Sequence, residues 1–261
     1  LSNEFLLKEL LFQLADDDFM IAFRGSEWLG LTPHIEEDVA FSSINQNTMG
    51  HASMYYQHVS ELGGGTPDAL AHSRTEKDRR NAILVELANG PGHYLKNPQY
   101  DWAFAVVRHY LYEMHKQVRL ESITTSSYQP LQTLSQKILS EQFYHVKHWE
   151  TWFTQLMLST EDARERMIQA LDLVWPEYDG LMTLGKYGRD MEKERLIDSH
   201  ETLRTETLRR LSDVFQKVHY TREDSPGSIS GNGRNGEHTE QLSEALATLS
   251  EVYNTNPVAQ W

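Results

Sequence analysis

"PLQTLSQKILSEQFYHVKHWETWFTQL", residues 130–156, places Leu131, Leu134, Ile138, Gln142, His145, Trp149, Trp152 and Leu156 at steps of three and four. Such alternation is the seam of a helix packed inside a bundle. It predicts one long helix from about Pro130 to Leu158. Two polar side chains, Gln142 and His145, interrupt the apolar seam. Buried polar groups need partners, so the other helices must supply matching ones.

The rest of the chain is helical by the same test. Phe5, Phe12, Phe19 and Phe23 predict a first helix of about 25 residues. Pro33 opens a second, with Glu36, Glu37 and Asp38 in the turn where acids favour the helix dipole. Its stripe runs Phe41, Ile44, Thr48, His51, Tyr55 and Leu62 and stops at Gly63–Gly65. Residues 66–99 are irregular, a connection of the kind that crosses a bundle end to end. A third helix begins near Asp101, with Trp102, Val106, His109 and Glu113 in phase. A fifth is capped at Ser159 or Thr160 and is expected to end before Pro176. Two more span about Asp198–Val218 and "EHTEQLSEALATLSEVY", residues 237–253. "TREDSPGSISGNGRNG", residues 221–236, reads as a flexible loop. The expectation is an all-α chain, one domain over 1–261, built on a four-helix core with additional C-terminal helices.

Composition narrows the function. With 24 basic and 38 acidic residues the net charge is -14, the wrong sign for a phosphate-backbone binder. The chain has no cysteine, which excludes disulfides, thiolate metal sites and a cysteine nucleophile, and fits a reducing compartment. No apolar run is long enough for a bilayer. The start, "LSNEFLLKELLFQLADDDF", is broken by Glu9 and Asp16–Asp18 and makes a poor signal peptide. A soluble cytoplasmic protein is expected. No phosphate loop, G-x-S-x-G or H-E-x-x-H motif is present.

The polar residues on the four stripes form a pattern. A di-iron site in a helical bundle takes one carboxylate from each of two helices and a Glu-x-x-His pair from each of the other two. Here Asp16 and Glu113 match the single carboxylates, while the pairs read Thr48-x-x-His51 and Gln142-x-x-His145. Both histidines are present and both glutamates of the pairs are missing. Two ferrous ions bring four positive charges, and two carboxylates leave a buried cluster strongly positive. Thr and Gln are also weak, neutral ligands. The six positions are therefore read as a degenerate site holding no metal. They form a polar network in which Asp16 and Glu113 accept from His51 and His145, with Thr48 and Gln142 completing it. One divalent ion on Asp16, His51, Glu113 and His145 is the alternative.

Several stretches together resemble one family: "GSEWLGLTPHIEEDVAF" (25–41), "ILVELANG" (83–90), "DWAFAVVRHYLY" (101–112), "EQFYH" (141–145), and "GEHTEQLSEAL" (236–246) with a final "QW". They resemble the PaaC family, the second ferritin-like subunit of the bacterial multicomponent phenylacetyl-CoA epoxidase. The resemblance implies a ferritin-like fold and a non-catalytic, structural role in aerobic phenylacetate catabolism. It implies a catalytic subunit as partner, carrying the di-iron centre that this chain lacks, and electrons from a separate reductase. Self-pairing into a homodimer is expected when the chain is made alone.

A pairing role needs exposed apolar surface. Trp149, Trp152 and Phe153 fall within five residues and cannot all face one stripe, which makes Trp149 and Phe153 interface candidates. The resemblance adds His238 and Trp261. No catalytic residue is assigned. The competing readings are a self-sufficient metal-dependent oxygenase or oxidase, which needs carboxylates at 48 and 142, and a stand-alone helical binding protein.

Overall fold

The computed structural model describes residues 1–259. Regular structure among them is helical, apart from an isolated bridge between His93 and Lys96. In chain order come α1 (Asn3–Ser26), α2 (Ile35–Glu61), α3 (Pro67–His72), α4 (Ile83–Glu86), α5 (Trp102–Ile123) and α6 (Gln129–Leu158). Then follow α7 (Glu161–Met182), α8 (Gly188–Lys193), α9 (His200–Lys217), α10 (Glu240–Leu249) and α11 (Glu251–Thr255). Among the described residues no helix is long and apolar enough to cross a membrane.

Local chemistry sets the ends. Ser2, Asp101, Thr160 and Ser199 cap α1, α5, α7 and α9 by accepting from the backbone N–H of Phe5, Ala103, Ala163 and Thr202. At α2 the cap is His34, whose Nδ1 accepts from Glu37 N at 3.2 Å. Pro33 lies just outside the helix it was expected to open.

The chain divides into two compact units, Leu1–Ala88 with the segment from Ser230 onward, and Asn89–Ile229. In the first, α1 and α2 form a hairpin, and α4 packs on α1 and α10. The hairpin is tight at Gly25, where a Cβ would come within 2.1 Å of Asn45 Oδ1. Much of α1 is buried around its circumference, including Glu9, Gln13, Asp16, Asp17, Asp18 and Arg24. An amphipathic helix has no such polar interior, so the neighbours must carry the opposite charges.

In the second unit α5 is central and packs against α6, α7 and α9. The buried stripe of α6 follows the expected seam through Leu131, Leu134, Ile138, Gln142, His145 and Trp149. It then passes to Phe153 and Met157, where the sequence spacing pointed to Trp152 and Leu156. The cause is helical pitch: a 3.5-residue repeat drifts about 20° per heptad on a straight helix, so the next residue takes over the buried side. This corrects two interface assignments. Trp149 and Phe153 are fully buried in their own unit, Trp149 stacked on His109 at 4.8 Å and Phe153 against Tyr110 at 5.0 Å and Phe215 at 6.0 Å.

Pro176 does not end α7, which continues to Met182. The loop before Ser230 is sewn into the helix at that point. Gly227 N donates to Trp175 O at 3.0 Å, and Asp179 N, which would otherwise serve that carbonyl, donates to Gly227 O at 2.8 Å. Ile229 N donates to Pro176 O at 3.2 Å and Trp175 Nε1 to Asp224 O at 3.0 Å. The stretch expected to be a flexible loop thus serves the backbone groups of Trp175, Pro176 and Asp179, which are drawn out of the regular helical ladder around the proline. A Cβ on Gly227 would stand 2.8 Å from Pro176 O. Gly227→Ala is expected to destabilise the protein by about 1–3 kcal/mol, the range for overpacking, read as a lower Tm in thermal unfolding.

Candidate functional site

In the second unit the residues singled out on α5 and α6 do meet. Gln142 Nε2 donates to Glu113 Oε2 at 2.6 Å and to Glu113 O at 3.0 Å, and all these groups are buried. His145 Nδ1 lies 3.6 Å from Glu113 Oε1, an electrostatic contact longer than a hydrogen bond. Burial would raise the Glu113 carboxyl, but His145, then Lys116 and Gln142, hold it down to about 2. One turn earlier on α5, His109 is kept neutral, because burial and the Arg108 charge push it down to about 3. Its Nδ1–H donates to Ala105 O at 2.8 Å, which fixes the ring under Trp149.

The first unit treats its share differently. Asp16 does not wait on a histidine. Tyr56 Oη donates to Oδ1 at 2.6 Å, Arg80 N to Oδ2 at 2.8 Å, and Arg74 grips both oxygens, with Nη1 at 3.0 Å from Oδ2. Arg79 Nη1 stands 3.5 Å from Oδ1. Burial raises the Asp16 carboxyl, and Arg74 and Arg79 outweigh it and hold it below its ordinary value. Tyr56 is pushed up by burial and by Asp16, so it stays a donor. Thr48 turns its hydroxyl back to Ile44 O at 2.9 Å, and His51 is buried on α2. In place of the expected hydrogen bond, His145 keeps an electrostatic contact with Glu113 at 3.6 Å, whereas Asp16 is held by guanidinium groups and a phenol.

These donors do not fit a di-iron centre. A metal-bridging carboxylate needs free lone pairs, and the Asp16 oxygens already accept from Tyr56, Arg74 and the Arg80 backbone. Gln142 likewise presents its N–H, not an oxygen, to Glu113. Among the described residues no group of three or more His, Asp or Glu side chains is arranged to hold a metal ion.

Next to Asp16 lies a set of residues that spacing did not single out. Arg234 is fully buried and pairs with both oxygens of Asp17, at 2.7 and 2.8 Å, while Ala82 N donates to Asp17 Oδ1 at 2.8 Å. Glu86 accepts from Asn81 Nδ2 at 2.8 Å, His238 Nδ1 at 2.8 Å, and Thr239 N and Oγ1 at 2.7 and 2.9 Å. Arg24 donates to Glu86 O and Gln241 O. His238 is thereby corrected as an interface candidate: its side chain is buried against Glu86 and carries no surface for a partner. Trp261 lies outside the described residues. The available signal was the run of three carboxylates, Asp16–Asp18, which must point around more than one side of α1, with Arg74, Arg79 and Arg80 as candidate counter-charges in the connection that follows α2.

Two outcomes follow from this geometry. Arg234→Met leaves Asp17 buried with its cation gone and is expected to cost about 3–5 kcal/mol, measured by denaturant unfolding. Glu113 is depressed from an ordinary 4.5 to about 2, so its contribution is complete above pH 4.5 and disappears as pH falls through about 2. Stability of the wild type should therefore fall between those limits by on the order of 3 kcal/mol more than that of Glu113→Gln, in unfolding titrations at stepped pH.

Comparison with known proteins supplies the affiliation. The family described as phenylacetic acid catabolic protein matches residues 3–261. A curated relative, the C subunit of the 1,2-phenylacetyl-CoA epoxidase of Escherichia coli (strain K12), is 25% identical over 252 residues, covering 95% of this chain and 96% of the relative. The helical architecture agrees with the ferritin-like class of that family, and the chain belongs to the phenylacetic acid catabolic protein family.

Proposed function

We propose that this chain is a non-catalytic, structural subunit of a phenylacetyl-CoA epoxidase in aerobic phenylacetate catabolism. Its partner is the catalytic ferritin-like subunit, which carries the di-iron centre. The observation that carries this reading is the state of the two carboxylates available to a metal. Asp16 is saturated by Arg74, Tyr56 and the Arg80 backbone, and Glu113 is capped by the Gln142 amide. Such bonds leave both carboxylates already satisfied by a counter-charge or by donors. Similarity along nearly the whole of one epoxidase subunit supports the same role. The absence of cysteine fits a cytoplasmic location.

The chain's own residues then act by support. Gln142 and His145 hold Glu113 ionised between α5 and α6, which fixes the pairing of these two helices at the centre of the second unit. Elemental analysis of protein purified with added ferrous iron tests the reading. Iron well below one per chain, with epoxidation of phenylacetyl-CoA appearing only when the catalytic subunit and reductase are added, is the expected result. Two irons per chain, or turnover by this chain with reductase alone, would overturn it. A single tightly held ion lost on His145→Ala would identify a one-metal site.

A further inference from the structure

The outer face of α2 has a composition unlike the rest of the surface. From Val39 to Ser60 there are 22 residues without one Asp, Glu, Lys or Arg, in a chain that is 24% charged. This is the longest uncharged run in the sequence, and α2 is no buried helix. Only one side of it, Phe41, Ile44, Thr48, His51, Tyr55 and Val59 among others, faces inward. The outward stripe reads Ile35, Val39, Ser42, Gln46, Met49 and Ser53 at helical spacing, with Ile35 75% and Val39 63% exposed. Leu29, 68% exposed, extends it at the turn before α2. Beside the stripe a groove of about 290 Å³ runs between α1 and α2, lined by Ala22, Leu29, Ser42, Asn45 and Met49. Charge depletion with methionine and apolar side chains marks the centre of a protein interface, whereas a merely solvated helix face is normally laced with ions.

The ends of the stripe say what kind of chain covers it. Exposed Glu36 stands at one end and exposed Glu61 at the other, about 38 Å apart at the helical rise. His34 and His58 stand beside these two glutamates, so each end carries a carboxylate with an imidazole near it, and a second copy of α2 laid in register along the first would bring like carboxylates together. Two chains of net charge -14 also repel at longer range. The complementary surface is a helix of a different chain, with an uncharged face, one apolar side chain for the groove, and basic residues near its ends.

We propose that the outer face of α2, from Ile35 to Ser53, with the α1–α2 groove, is the surface on which this chain docks a helix of the catalytic subunit. The inference rests on the structural-subunit reading above and adds the location. The test uses full-length chain co-expressed with the catalytic subunit, comparing wild type, Val39→Glu, Gln46→Glu, and Leu173→Glu as a control on an exposed site of α7. Circular dichroism and Tm check that each variant is folded.

Wild type and Leu173→Glu should co-purify with the catalytic subunit. Val39→Glu and Gln46→Glu should each weaken pairing by about 100-fold, because an unpaired carboxylate is buried in the contact. Pairing of both α2 variants within about threefold of wild type, a difference no larger than ordinary surface substitutions give, would overturn the assignment while leaving the subunit reading intact. Equal loss in Leu173→Glu would also overturn it. A homodimer dissolved by Val39→Glu while the hetero-pair persists would assign the face to a second copy instead. Failure of the wild type itself to pair would remove the subunit reading and the inference together.

Discussion

The first helical unit depends on buried carboxylates meeting buried guanidinium groups. Asp16 and Asp17 sit at the centre of α1 with no access to water, and each finds bidentate or near-bidentate arginine: Arg74 for Asp16, Arg234 for Asp17. Ion pairs of this sort add little net stability over an apolar core, because desolvation offsets the Coulomb gain. Their effect is on specificity. A register in which Asp17 lacks Arg234 leaves a bare charge in low dielectric, so alternatives are excluded strongly. The constraint also fixes the chain path, since Asp17 and Arg234 are 217 residues apart. The hydrogen bonds of Glu86 with His238 and Thr239 then lock α10 beside α4.

The second unit solves a smaller version of the same problem. Glu113 is buried on α5 without an arginine, and Gln142 and His145 on α6 supply a neutral donor and a nearby imidazole. The substitution of an amide for a carboxylate at 142 is chemically decisive. Glutamate there would face Glu113 at hydrogen-bond distance and need a cation between them; glutamine brings its own proton and closes the pair. The same α5–α6 contact buries Trp149 against His109, so aromatic packing and polar pairing are consecutive turns of one seam.

A division of labour between the faces of α2 follows. The inward side carries Thr48, His51, Tyr55 and Tyr56, and Tyr56 joins the Asp16 cluster. The outward side carries no Asp, Glu, Lys or Arg over six turns, unlike a solvated helix face laced with ions. In α7, by contrast, a proline is accommodated inside the helix, with the Gly227 peptide inserted between Trp175 O and Asp179 N.

Much of this was legible in the sequence alone. The positions of the long helices, the start near Asp101, the cap at Ser159 or Thr160, the seam through Trp149 and the family resemblance all rest on signals that repeat every few residues or sit next to each other in the chain. The absence of carboxylates at 48 and 142 was equally plain. Tertiary structure decided the rest. It turned Phe153 inward through helical drift, carried α7 past Pro176 by recruiting Gly227, and buried His238 against Glu86. It gave Asp16 to arginines where spacing pointed to histidine. The reason is physical: periodicity records which side of a helix is buried, whereas the identity of a charge's partner depends on long-range approach, which no local pattern encodes.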